Sequence, residues 1–176
     1  MILSAENYTG DSQSAKDTRA CGSELNDGPD GIQITRSHDV RVEDSSSVYI
    51  TRSHDVCVEG SSSIYIDGSS AICITTSTGI RISDSNSVFI KNSKDITIEK
   101  SCDFFVDHSK DVSFDKSKDI TANCTDGITL DKSKDISGNR TDGITLDNES
   151  NSVTVTDSKD TSLDDSNHAS FDITDI

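Results

Sequence analysis

The chain has 176 residues, enough for one ordinary domain, but only 31% are hydrophobic, Trp is absent and the formal charge is −16. Phosphate contacts need a basic surface, so this charge argues against nucleic-acid binding; an acidic surface favours solubility or cation binding instead. No stretch approaches the length of a membrane span.

Residues 1–30 carry no repeat and include Pro29, which predicts a leader or amino-terminal cap, partly mobile. Within it, Met1–Gly10 has neither a basic segment nor an apolar run, so no secretory signal is visible. From Ile32 to Phe171 an octad then takes over: aliphatic, any residue, aliphatic, two polar residues, Ser, two more polar residues. Ile32/Ile34, Val40/Val42, Val48/Ile50, Val56/Val58 and their successors keep this phase to Ile144/Leu146. One extra residue near Glu149 to Asn151 shifts it before Val153/Val155, Thr161/Leu163 and Ala169/Phe171 resume. Apolar alternation rich in Ile and Val reads as strand, and the polar triplets between read as corners. A strand this short cannot bury its apolar face without a stacked neighbour, so the repeat specifies a solenoid.

Coil length follows from the longest near-identities. Thr35–Ile50 aligns with Thr51–Ile66, and Asp115–Leu130 with Asp131–Leu146, each 16 residues apart. Duplication by two octads predicts an all-β, single-chain, two-sided parallel β-solenoid of about 9 coils of 16 residues, spanning residues 31–172 with a tail at 173–176. At the spacing of parallel strands such a rod is about 43 Å long. The recurring Ser (Ser37, Ser45, Ser53, Ser61 and onward) falls at each corner, where its hydroxyl can bond the turning backbone and where Thr125 and Thr141 can replace it.

The five cysteines, Cys21, Cys57, Cys73, Cys102 and Cys124, have no metal-knuckle spacing, so the sequence assigns no metal-ligand set. Cys57 and Cys73 share one phase 16 residues apart, and the sequence leaves open whether they pair.

The residue between each aliphatic pair points outwards. On one face the outward column passes through Tyr49 and Tyr65 and then Thr97, Ser113, Thr129 and Thr145; the other passes through Phe89 and Phe105. The aromatic pairs are candidate contacts for a sugar or a partner protein. The hydroxyl column is a candidate surface array of the ice-binding kind. Glu99, Asp115, Asp131 and Asp147 beside it raise a calcium reading, because carboxylates about 4.8 Å apart repel and a cation could bridge them. Lys116, Lys118, Lys132 and Lys134 at adjoining corners could neutralise them instead.

No acid–base set recurs and no corner is long enough to wall a pocket, so no enzyme is expected and no cofactor other than calcium is implied. The expected function is a structural or interaction rod that binds a protein, glycan or mineral surface by extended contact. An ice- or calcium-binding array and a trimeric needle segment are the alternatives. The last octad ends close to Ile176 without a visible polar cap, which favours end-to-end self-association.

Asn92–Ser101 (NSKDITIEKS) and Thr125–Ile136 (TDGITLDKSKDI) resemble the short repeats of parallel β-helix and β-solenoid proteins, among them carbohydrate-active and periplasmic ones. The resemblance covers about 140 residues and implies a stacked-coil fold, without a family-specific catalytic motif. The octad is also similar to the needles of phage tail spikes and secretion tips. There a Gly usually follows the strand, where this chain has Asp44, Arg52, Asn92, Lys100, Lys116 and Lys132.

Overall fold

The structure, a computed structural model, describes residues 17–28, 31–147, 150–157, 159–163 and 167–172, with side chains at 31–146 and 150–157. Strand β1 (Asp17–Gly28) precedes a long strand β2 (Gly31–Glu43). Then follow β3 (Val48–Thr51), β4 (His54–Glu59), β5 (Ser62–Asp67), β6 (Ser70–Thr75), β7 (Thr78–Ser83), β8 (Asn86–Lys91), β9 (Lys94–Glu99) and β10 (Cys102–Asp107). The carboxyl-terminal half continues with β11 (Lys110–Asp115), β12 (Lys118–Asn123), β13 (Asp126–Asp131), β14 (Lys134–Asn139), β15 (Asp142–Asp147), β16 (Asn151–Thr156), β17 (Lys159–Leu163) and β18 (Asn167–Asp172).

Strands pair in parallel with the strand two further along the chain, so that Val56 meets Ile72 and Tyr49 meets Tyr65, 16 residues on. Odd-numbered strands build one face and even-numbered strands the other, and β2 starts both because its two ends pair with β3 and β4. The ladder makes eight steps on the even face. The coil is therefore 16 residues with two strands, as the duplications predict, and about eight turns separate first coil from last, against roughly nine coils expected. The extra residue is absorbed between β15 and β16: Ile136 pairs with Val153 at a spacing of 17, and Val153 with Ala169 at 16.

Each coil is closed by two strands of one chain. A trimeric needle, whose core would be shared by three chains, is not needed to bury these aliphatics. Asp17–Gly28, within the stretch expected to be leader or cap, runs antiparallel along β2 from Asp17↔Glu43 to Gly28↔Gly31, with an irregularity between Arg19 and Cys21. It lies against the edge of the first coil that has no preceding coil to pair with. Residues 1–16 and the tail at 173–176 lie outside the described residues.

The core is one line of inward side chains. Ile34, Ile50, Ile66, Ile82 and Ile98 are stacked at 0% exposure on one face, and Val42, Val58, Ile74, Ile90 and Val106 likewise on the other. Burial of each contributes roughly 1.5–3 kcal/mol before chain entropy is subtracted. Phe114 is fully buried and meets Phe104 edge-on at 5.7 Å. Its own coil has Ala122 at an inward position and the next has Gly138, so the widest and the narrowest side chains lie in neighbouring layers.

The corners explain the recurring Ser. The Ser61 N–H donates to Ser77 Oγ (3.2 Å), and the Ser77 hydroxyl donates to the Thr75 carbonyl (2.8 Å). The same two bonds recur at Ser53, Ser69, Ser85, Ser93 and Ser101. Each hydroxyl thus satisfies a buried peptide of the preceding coil and one of its own. Thr125 keeps the donor bond, to Asn123 O at 3.1 Å.

Most corners also hold two residues at positive φ, one before the Ser and one two after it, such as Arg52 (50°) and Asp55 (53°), or Lys132 (48°) and Asp135 (54°). The second place favours Asp and Gly, which tolerate the left-handed region. This is the conformational origin of the phrases Lys-Asp-Ile and Asp-Gly-Ile. At the first place ordinary side chains accept the strain, since the ladder fixes the corner on both sides.

Candidate functional site

The outward columns are straight because the strands are in register. Tyr49 and Tyr65 stack at 4.7 Å between ring centroids with 3° between planes, and Phe89 and Phe105 at 5.4 Å with 1°. Tyr49, Phe89 and Phe105 are 45%, 36% and 39% exposed. The four aromatics form two pairs on opposite faces, Tyr on the odd strands and Phe on the even ones. Cys57 and Cys73 sit directly in register on the Phe face as free thiols. Burial, followed by the neighbouring Cys57 and Glu59, pushes the Cys73 thiol above its usual range.

Thr97, Ser113, Thr129 and Thr145 line up as expected, on β9, β11, β13 and β15. Two residues along the same strands run Glu99, Asp115 and Asp131, so the hydroxyl array is one residue wide with carboxylates beside it. Asp147 continues that column in backbone register; its side chain lies outside the described residues.

The column is charge-mixed. Arg81 and Lys100 reach Glu99 at 3.5 and 3.3 Å, Lys116 reaches Asp115 at 2.9 Å and Lys132 reaches Asp131 at 3.9 Å. The hydrogen bond to Asp115 and its charge raise the Lys116 ammonium above its usual range. These contacts use one oxygen of each Asp. The other, Oδ1 of Asp115 and of Asp131, is shielded from solvent and has no hydrogen-bond partner.

The even-strand corner holds a cluster that the spacing of cysteines alone did not reveal. Asp107 is 6% exposed and accepts from Asn123 Nδ2 at 2.8 Å, contacts His108 Nδ1 at 2.8 Å and pairs with Lys91 Nζ at 3.3 Å. Burial pushes its carboxyl up, but the bonds from Asn123, His108 and Lys91 outweigh this and hold it below its ordinary value. Asn139 Nδ2 donates to Asn123 Oδ1 at 3.1 Å and the Thr156 hydroxyl donates to Asn139 Oδ1 at 3.3 Å, which extends the column. Cys124 lies one coil above His108, and ligand atoms of Asp107, His108 and Cys124 fall within 4.8 Å of one another. The signal was available in the octad phase, since His108 and Cys124 are 16 residues apart at the same corner place.

Two further histidines, His38 and His54, stack at 5.5 Å, each with Nδ1 at 2.9 Å from the following Asp, in the duplicated corners. Among the described residues most connections between strands are two residues long, and no helix is long and apolar enough to cross a membrane.

No protein-family model matches the chain, and no curated protein matches it. Among solved structures, it is similar to a mutant of the periplasmic alginate epimerase AlgG, with a TM-score of 0.56 and 12% identity over 81% of this chain and 49% of that one. This chain therefore spans about half the length of the epimerase. HetL, a pentapeptide repeat protein from Nostoc sp., aligns with a TM-score of 0.37 and 8% identity over 80% of this chain and 87% of that one. Identities this low speak to fold alone. By its own pairing the chain is a parallel β-solenoid with 16-residue coils, and the likeness to the epimerase agrees with that fold.

Proposed function

We propose that the chain is a non-enzymatic interaction rod that binds a protein, glycan or mineral surface by extended contact along its sheet faces. The observation that carries this reading is the straightness of the outward columns. Side chains one coil apart stand in strict register, and the aromatic pairs lie parallel to within a few degrees, Tyr49/Tyr65 at 3°. Parallel, half-exposed rings at the strand repeat form a preordered flat platform that loses little entropy on contact. Among the described residues most corners are two residues long, too short to surround a substrate and exclude water, which favours surface contact over catalysis.

Retention on insoluble cellulose, chitin and hydroxyapatite tests the reading, comparing the natural chain with Tyr49→Ser/Tyr65→Ser and Phe89→Ser/Phe105→Ser double variants of unchanged circular dichroism. Retention lost in one double variant supports a face-specific contact. Retention on none of the three counts against the glycan and mineral surfaces, and degradation of a polysaccharide counts against the non-enzymatic reading.

A calcium-binding column on the odd face is the second reading, favoured by the unpartnered Oδ1 atoms of Asp115 and Asp131. Two such oxygens stand one coil apart on neighbouring strands, and an unpaired carboxylate oxygen is the ligand type a hard cation takes. A rise in melting temperature with calcium, abolished by Asp131→Asn, supports it; an unchanged melting temperature at millimolar calcium removes it.

A further inference from the structure

We propose that Asp107, His108 and Cys124 form a binding site for a late first-row divalent cation of the zinc(II) type, at one corner of the even face. The three residues supply an oxygen, a nitrogen and a sulfur, with their donor atoms within 4.8 Å of one another. The combination of thiolate and imidazole selects a borderline or soft cation and disfavours calcium or magnesium, which take oxygen ligands. Asp107 Oδ1 and His108 Nδ1 lie 2.8 Å apart, and bonds of roughly 2.0–2.1 Å to a tetrahedral ion need ligands about 3.3–3.4 Å apart, so the exposed His108 ring draws back by about half an ångström on binding. A cation takes the place of the hydrogen bond between them, and Cys124 closes from the coil above.

The corner holds these groups in place. His108 and Cys124 both adopt positive φ, 48° and 49°, at stacked corner positions whose N–H groups are bonded to Asn123 O and Asn139 O. Asp107 is oriented by Asn123, which is itself held by Asn139. This is the arrangement in which an outer amide fixes a ligating carboxylate. Asn123–Leu130 and Asn139–Leu146 are the same octad except for Cys124 and Arg140, so the corner acquires its sulfur at one coil only. Two cations bound the cluster: Lys91 on Asp107 Oδ2, and Arg140 one coil above Cys124. Lys91 occupies Oδ2, and Oδ1 keeps the Asn123 hydrogen bond on one lone pair while the other, now facing His108, is the one offered to the metal. Binding releases the Cys124 thiol proton to solvent, the His108 proton moves from Nδ1 to Nε2 so that Nδ1 offers its lone pair, and water completes the coordination.

The experiment uses the whole chain, reduced and metal-free, titrated with cobalt(II) and zinc(II). The expected result is one cobalt per chain with a thiolate-to-cobalt charge-transfer band that zinc displaces. Cys124→Ser should abolish the band, and His108→Asn, which keeps a residue tolerant of positive φ, should weaken zinc binding roughly 10-fold or more. Cys57→Ser, Cys102→Ser and His54→Asn should leave both unchanged. The proposal is overturned if the natural chain shows no band, if Cys124→Ser binds zinc as tightly, or if the band follows Cys57, Cys102 or His54 instead. Circular dichroism of each variant separates loss of the site from loss of the fold.

Discussion

Replacing Ser77 with Ala isolates what the corner hydroxyls contribute. Ser77 is 1% exposed; its Oγ accepts from the Ser61 N–H at 3.2 Å and donates to the Thr75 carbonyl at 2.8 Å. Ala keeps the Ser77 N–H bonded to Ser93 Oγ, and the Thr75 carbonyl keeps the Gly60 N–H at 3.1 Å. The loss is therefore concentrated in one orphaned peptide N–H at Ser61, buried where water does not reach. An unsatisfied buried donor costs about 1–3 kcal/mol. For a chain of this size each kcal/mol lowers the melting temperature by about 2–4 °C. The prediction is a destabilisation in that range for Ser77→Ala and a smaller one for Ser77→Thr, which keeps an oxygen at the corner and, as Thr125 does, its bond to the carbonyl two residues back. Urea unfolding followed by two probes is the assay, since a stacked array can unfold in stages and only coincident transitions justify a single free energy. A loss below about 0.5 kcal/mol for Ser77→Ala, less than an average hydrogen bond, would refute the ladder as a source of stability. So would a Thr variant as unstable as the Ala one.

Phe114→Ala removes the largest fully buried side chain among the described residues and its edge-on contact with Phe104. Urea denaturation should show a loss of about 3–5 kcal/mol, with Ala122 in the same layer unable to fill the cavity. At Lys132 (φ 48°), Val should cost about 1–2 kcal/mol and Gly should not destabilise, because only a Cβ clashes in the left-handed region; equal melting temperatures for the two would show that the corner carries no strain. Cys73, its thiol raised by burial, Cys57 and Glu59, should need a higher pH than a free cysteine to form thiolate. Its rate of alkylation by iodoacetamide should then rise with pH through a midpoint above that of a model thiol, and in Cys57→Ser the midpoint should fall.

Much of the architecture was legible in the octad because a period of two within a strand and a period of eight along the chain leave few arrangements. Ile34 to Ile98 and Val42 to Val106 must point inwards together, and only stacking hides them. The 16-residue duplications set two strands per coil, and the i to i+16 registers follow them. Other features needed neighbours in space. Ser at every corner was visible, but that its Oγ accepts a peptide N–H from the preceding coil depends on how coils stack. The preference for Asp or Gly two places after the Ser reads as turn chemistry in the sequence and as a left-handed backbone only in the fold.

The candidate surfaces divide in the same way. The Tyr, Phe and Thr columns follow from phase alone, since a side chain between two buried aliphatics on a strand must face outwards. Which oxygens of Asp115 and Asp131 are bonded, and which are left without a partner, depends on where Lys116 and Lys132 reach. The Asp107, His108 and Cys124 cluster required both a corner that places residues 107 and 108 side by side and a coil that brings Cys124 over them.

By itself, then, the sequence determined the coil, the line of buried aliphatics and the direction of every strand side chain, because these depend on periodicity. Tertiary structure alone decided the hydrogen-bond partners of the corner hydroxyls, the antiparallel strand along the first coil, the unpaired carboxylate oxygens and the mixed-donor corner. Those depend on distances of a few ångströms between residues 16 apart, and a repeat names which residues are stacked without stating which of their atoms meet.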